Sequence, residues 1–191
     1  MSLNPIPFWF LRHGETDWNA RGLSQGVTDI PLNGVGRAQA ERAARTLAGH
    51  SFGSIVASPL SRARDTAAAV AAVLGVGFTT DAQLREVEFG EQEGQPMGDW
   101  YDSWIADEYT PTGAETFAAL RARAVAAINR ATALPGPVLV VAHGAFWRAF
   151  RYEAGLPSNV RTPNALPIFV EPPSAGWPEW RLTALDLAPE V

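Results

Sequence analysis

The chain carries one local design twice: a short apolar run that reads as a buried strand, ending in His-Gly. The first copy is Ile6 to Leu11, followed by Arg12-His13-Gly14-Glu15-Thr16-Asp17-Trp18-Asn19. The second is Val138-Leu139-Val140-Val141-Ala142, followed by His143-Gly144. Continuous apolar strands of this length are buried on both faces, as in a parallel sheet flanked by helices. In such open sheets ligands bind at the C-terminal ends of the strands. A helix N-terminus directly after each histidine would aim N–H groups and a positive dipole end at one place. Only three histidines occur in 191 residues, and two of them share this context. The pattern points to an anion site with two imidazoles, where Arg12 adds a permanent planar charge.

The remaining segments alternate in the same sense. The sequence predicts a helix opened by Asn33 and running to about Leu47, and a strand over Ser54–Ala57. After Pro59 comes an Ala-rich helix to about Leu74 closed by Gly75, then a short strand at Phe78–Thr80. A helix from about Ala114 to Leu134 opens on Thr112-Gly113-Ala114-Glu115, which reads as a capping box, and stops at Pro135-Gly136-Pro137. A further helix follows His143 to about Ala154, and Leu166–Val170 and Trp180–Leu187 read as closing strands. The expected fold is α/β: a three-layer sandwich with a mostly parallel central sheet and helices on both faces. It forms a single domain over 1–191, with an irregular, lid-like segment at about 88–113.

Composition removes several chemistries. The chain has no cysteine, so thiolate nucleophiles and thiolate metal sites are excluded. It has no lysine either, which excludes Schiff-base catalysis and a P-loop lysine. A net charge of -5 without a basic run argues against a nucleic-acid partner. No apolar run approaches the roughly 20 residues of a membrane span, and no signal-peptide pattern opens the chain. The cytoplasm is the expected compartment.

Two further segments belong with the histidines. Ser58-Pro59-Leu60-Ser61-Arg62-Ala63 follows a short strand and places Arg62 in the first turn of a helix, at the same sheet edge. Read alone, Arg62 and Arg64 are solvated helix charges. Leu84-Arg85-Glu86-Val87-Glu88-Phe89-Gly90 offers Glu86 as a candidate acid. Together these four segments resemble the histidine phosphatase superfamily, in the branch that contains the cofactor-dependent phosphoglycerate mutases. Arg12-His13-Gly14-Glu15-Thr16 with Trp18-Asn19 is similar to the family signature, and Gln25-Gly26-x-x-Asp29-x-Pro31-Leu32 to the stretch that follows it. Ser58-Pro59-Leu60-x-Arg62-Ala63 resembles the second arginine motif, and Ala142-His143-Gly144 with Arg148 the second histidine motif. Asn164 resembles a late Asn that lies near the pocket.

The resemblance implies a phosphoglycerate mutase-like fold and a metal-independent phosphomonoesterase. His13 would attack phosphorus and form a phosphohistidine, with its far ring nitrogen holding a proton against a backbone carbonyl. Arg12, Arg62 and His143 would surround the phosphoryl oxygens, with Asn19, Gln25, Asn164 and the Gly144 N–H in support. Glu86 would move the protons. No cofactor is implied, and the expected partners are a small phosphorylated metabolite and the phosphate ion. A zinc site of two His and one Glu is disfavoured by the adjacent arginines.

Two alternatives stand beside this reading: a mutase-type phosphotransferase, and a catalytically idle phosphate-binding protein of the same fold. Mutases typically follow the acid with Arg-His-Tyr-Gly, whereas this chain has Val87-Glu88-Phe89-Gly90, which disfavours a second phosphate. Met97 to Tyr109 reads most simply as an amphipathic helix with Met97, Trp100 and Trp104 turned inward. In the competing reading Trp100, Tyr101, Trp104 and Tyr109 form an aromatic lid over the substrate, among Asp99, Asp102, Asp107 and Glu108. His50 reads as a surface residue, and Trp177 and Trp180 as packing residues.

Overall fold

The computed structural model describes residues 2–189. Its sheet contains β1 (Phe8–Arg12), β2 (Ser54–Ala57), β3 (Phe78–Thr80), β4 (Val138–Ala142), β5 (Pro167–Glu171) and β6 (Arg181–Ala184), in the order β3-β2-β4-β1-β5-β6. The pairs β3–β2, β2–β4 and β4–β1 are parallel, while β5 and β6 join antiparallel at one edge. The expected mostly parallel α/β sandwich is what forms.

Alternation along the strands builds two cores. Phe8 and Phe10 of β1, with Val138 and Val140 of β4, face α5 (Phe117–Thr132) and α6 (Gly144–Glu153). Trp9, Leu11, Leu139 and Val141 face the opposite way, toward α2 (Gly34–Leu47) and α3 (Ser61–Leu74). The period of 2 in a strand sends neighbouring side chains to opposite layers, so runs such as Phe-Trp-Phe-Leu are needed wherever both faces are covered. Because α2 follows β1 and α6 follows β4 on opposite faces, the sheet switches direction between these two adjacent strands. A crevice opens at their C-terminal ends.

Local signals explain most boundaries. The Asn33 side chain accepts the Gly36 N–H at 2.8 Å and caps α2 as expected. Gly75 ends α3 in the left-handed region at φ 67°, where a Cβ would be strained. The start of α5 corrects the sequence reading. Thr116, not Thr112, is the cap, accepting the Ala119 N–H at 3.1 Å, and Glu115 lies outside the helix in an ion pair with Arg123. Serine- and threonine-type caps recur through 112–116, and the hydrophobic face beginning at Phe117 decides between them. Two short helices complete the fold: α1 (Asp17–Ala20), which is not expected from the sequence, and α4 (Trp100–Ile105), a shorter form of the helix expected over Met97–Tyr109. Trp177 is half exposed rather than packed, whereas Trp180 is buried against Phe150.

Trp147 of α6 is sandwiched between Phe10 (centroids 3.9 Å apart) and Phe150 (4.7 Å). Its indole N–H is buried without a partner among the described residues. Trp147→Ala is expected to cost about 3–5 kcal/mol in urea unfolding, the range for truncating a buried aromatic. Trp147→Phe keeps most of the volume and removes the unpaired donor, so it should cost less than about 1.5 kcal/mol. Equal losses in the two variants would contradict this account.

Candidate active site

The register of the two central strands sets the site. Arg12 pairs with Ala142, so His13 and His143 each follow a register-matched residue. The His13 N–H donates to Ala142 O at 3.0 Å, and the two imidazole centroids lie 5.2 Å apart. The backbone after the two histidines differs, which corrects the symmetrical expectation. His143 is itself the N-cap residue of α6, whereas His13 is followed by a loop before Thr16 caps the one-turn α1.

That loop is braced from three directions. The Gly14 N–H donates to Thr66 Oγ1 (3.0 Å) on α3, and the Glu15 N–H to Gln39 Oε1 (2.8 Å) on α2. Asn164 Nδ2 donates to His13 O at 2.9 Å. Gly14 and Gly36 permit the close approach of loop and helix: a Cβ on Gly36 would lie 2.0 Å from Glu15 O, and one on Gly14 would lie 2.3 Å from Gly36 O.

The imidazoles are kept neutral and oriented. His13 Nδ1 is 2.7 Å from Gly14 O. A carbonyl only accepts, so Nδ1 carries the proton and the Nε2 lone pair is free. Burial, then the charges of Arg62 and Arg12, push His13 well below the ordinary histidine value of 6.5. Burial followed by Arg62 does the same to His143, whose ring nitrogens are both buried without a partner among the described residues.

The arginines are held by backbone oxygens. Arg12 Nη1 donates to Thr162 O at 2.7 Å. Arg62 donates to Thr28 O (2.9 Å) and Gly26 O (2.7 Å). Burial lowers Arg12 to about 10, opposed by Glu86, so it stays cationic at neutral pH. Glu86 sits on an irregular stretch, and its carboxylate accepts three N–H groups. Oε2 takes Ala145 N at 2.9 Å, while Oε1 takes Phe146 N at 2.9 Å and Val87 N at 3.1 Å. Two of these amides form the first turn of α6, where a negative group is favoured.

A cavity of about 470 Å³ opens onto this cluster, with Arg12, His13, Arg62, Glu86 and Gly144 on its wall. Asn19 and Gln25 also line it. His143 adjoins His13 but is not on the wall, and Asn164 acts one step back through the His13 carbonyl. The tryptophan lid is corrected. Trp104 is fully buried in the core with its indole N–H on Glu115 O (2.9 Å), and Trp100 packs against that core without reaching the cavity.

The same short helix instead presents Tyr101, with Met97 and Asp99 just before it, to the cavity. Tyr101 lies one position round from the Trp100/Trp104 face, and burial raises it to about 12, so it stays a neutral phenol. Arg148 and Arg161 also line the cavity. Arg148 stacks over Tyr101 at 4.8 Å. The backbone oxygens that hold Arg12 and Arg62 left no trace in residue type, so no sequence pattern pointed to them. Arg64 is exposed beside Asp65, and His50 is an exposed residue whose ring lies tilted against Trp9 with centroids 4.7 Å apart. Among the described residues no group of three or more His, Cys, Asp and Glu is placed to hold a metal ion, and no helix is long and apolar enough to cross a membrane.

The buried imidazoles make stability depend on pH. Above 6.5 neither the folded nor the unfolded chain protonates these histidines; below it only the unfolded chain does. Stability therefore falls as pH drops below 6.5, by up to about 1.4 kcal/mol per pH unit for each histidine. Urea unfolding between pH 7 and pH 5.5 should give a shallower slope for His143→Gln than for the parent protein. Parallel slopes would show that His143 charges freely in the folded state.

The family model of the histidine phosphatase superfamily (branch 1) matches residues 8–161. The uncharacterized phosphatase PhoE of Bacillus subtilis is 36% identical over 145 residues, covering 75% of this chain and 74% of that protein. The probable phosphoglycerate mutase GpmB of Yersinia enterocolitica is 37% identical over 92 residues, which span 48% of this chain and 43% of that one. The solved structure of a mycobacterial glucosyl-3-phosphoglycerate phosphatase superposes with a TM-score of 0.80 at 27% identity, covering 96% of this chain and 99% of that chain. The chain belongs to the histidine phosphatase superfamily, branch 1, and is a phosphatase of the histidine type.

Proposed function

We propose that this phosphatase is a metal-independent phosphomonoesterase that acts on a small phosphorylated metabolite through a phosphohistidine at His13. The observation that carries the reading is the 2.7 Å contact of His13 Nδ1 with Gly14 O, on a ring that lines a cavity with Arg12, Arg62, Arg148 and Arg161 on its wall. It leaves Nε2 as a neutral nucleophile facing an anion site.

In the first half-reaction the Nε2–P bond forms as the ester P–O bond breaks, and Glu86 gives its proton to the departing alkoxide. In the second, Glu86 takes a proton from water and the water oxygen bonds to phosphorus as the Nε2–P bond breaks, so phosphate leaves with neutral His13 and protonated Glu86 restored for the next cycle. Arg12, Arg62 and the Gly144 amide offset the charge on the phosphoryl oxygens, a contribution of about 2.7–4 kcal/mol for a well-placed donor. The cluster of arginines fills the role that divalent cations play in other phosphoryl-transfer sites.

Activity on p-nitrophenyl phosphate should fall at least about 10³-fold in His13→Ala. It should be unchanged by a chelator, and a phosphorylated histidine should be trapped by rapid acid quench and located by mass spectrometry. Metal-dependent turnover, or label on another residue, would overturn the reading. Assaying 3-phosphoglycerate for conversion to 2-phosphoglycerate against release of inorganic phosphate separates a phosphatase from a mutase, with phosphate release expected to dominate. An inactive protein that still binds phosphate would establish the idle alternative. The cavity wall of Phe89, Met97 and Tyr101 favours leaving groups with apolar surface. Aryl and alkyl monophosphates should therefore be turned over faster than fructose 2,6-bisphosphate, and the reverse order would remove that preference.

A further inference from the structure

Glu86 lies in a stretch with neither helix nor sheet hydrogen bonds of its own: the turn Ala82–Leu84 precedes it and the turn Gly90–Gln92 follows it. A residue that must move a proton within hydrogen-bond reach of a reacting atom needs a fixed backbone. That backbone is supplied by a side chain from elsewhere. Arg123 of α5, with its side chain only 8% exposed, donates to Gln83 O at 2.9 Å and Arg85 O at 2.7 Å, with a longer contact to Glu86 O at 3.4 Å. Its remaining two donors go to Glu115, Nε to Oε1 at 2.9 Å and Nη2 to Oε2 at 2.6 Å. All five guanidinium N–H groups are thereby used.

Glu115 extends the brace. Its N–H donates to Glu88 O at 2.8 Å, and its carbonyl accepts the Trp104 indole N–H from α4, the helix that carries Tyr101 to the cavity. The segment from 83 to 88 is thus held at four carbonyls by one buried ion pair. The Glu86 carboxylate is held separately by the first turn of α6. Such a pair contributes little to stability for its burial and is better suited to fixing geometry. A bidentate fork is also rigid in a way that a lysine contact is not.

We infer that Arg123 and Glu115 form a positioning pair that aligns Glu86 for proton transfer. This rests on the proposed role of Glu86 and adds a residue pair that touches neither phosphate nor nucleophile. The consequence is selective. A substrate with a poor leaving group depends on the proton that Glu86 delivers, whereas p-nitrophenolate leaves without it.

The test compares benzyl phosphate with p-nitrophenyl phosphate in Glu86→Gln, Arg123→Gln, Arg123→Lys and Glu115→Gln, and in the double variant Glu86→Gln/Arg123→Gln. Arg123→Gln should lower kcat/KM for benzyl phosphate, which reports the half-reaction that releases the leaving group, about 10- to 100-fold, part of the 10²–10⁴ that a general acid supplies. For p-nitrophenyl phosphate the expected loss of kcat/KM is less than about threefold, because only the hydrolysis of the phosphohistidine, which kcat/KM does not contain, then depends on Glu86. In the Glu86→Gln background the same substitution should add almost nothing, because coupled residues are non-additive. If Arg123→Gln fails to fold, Glu115→Gln and Arg123→Lys give the same readout, each expected to retain part of the wild-type discrimination. Equal losses on both substrates, or a full additional loss on top of Glu86→Gln, would overturn the positioning pair while leaving Glu86 in place. Absence of leaving-group dependence in Glu86→Gln itself would overturn the acid–base role and the pair with it.

Discussion

Two guanidinium groups buried beside two uncharged imidazoles set the terms for the rest of this molecule. Removing Arg12 and Arg62 from water costs several kcal/mol each unless the lost hydrogen bonds are replaced. The replacement comes from backbone oxygens of Gly26, Thr28 and Thr162, in segments far apart in sequence. Those segments must therefore fold onto the sheet edge for the arginines to be tolerated at all. Once they do, burial, reinforced by the field of the arginines, holds His13 and His143 neutral. The charge of the anion site thus reinforces the neutral form that the proposed nucleophile needs.

The sheet places these groups with little freedom. Parallel pairing of β1 with β4 puts Arg12 opposite Ala142, and a slip of one residue would turn each strand's apolar side chains to the wrong core. Register is thus enforced by Phe8, Phe10, Val138 and Val140 on one face and by Trp9, Leu11, Leu139 and Val141 on the other. Packing energy and catalytic geometry are specified by the same eight side chains. The antiparallel β5 covers the outer side of β1, and Ala165 N–H binds Arg12 O at 2.9 Å just before it, so the late segment also fixes the first arginine's backbone.

The central strands, Arg62 in its first helical turn and the two histidines were legible because each rests on a local pattern: apolar runs, a Pro turn, a His-Gly pair. What the sequence obscured has a physical cause in each case. Thr112 and Thr116 both suit a cap, and only burial of Phe117 selects the second. Trp100 and Trp104 have the i,i+4 spacing of a helix face, but a face can turn toward a core or a ligand, and the indole bond to Glu115 O turned it toward the core. Tyr101 carried no pattern of its own and reached the cavity as a result. Backbone carbonyls, which hold both arginines and the Glu86 segment, are the same in every residue and leave no mark in a sequence.

The helix end at His143 shows how one feature can serve two anions. Sequence alone assigns the N-terminus of α6 to phosphate, yet the Ala145 and Phe146 amides are taken by the Glu86 carboxylate. Gly144, one residue earlier in the same turn, remains on the cavity wall. The positive end of α6 therefore faces the proposed acid–base group and the proposed phosphate site together. Their separation is set by the rise of a single helical turn, a far stiffer spacer than the loop that carries Glu86. An enzyme that must bring a proton donor and a phosphoryl group to one leaving oxygen gains accuracy from referring both to the same helix.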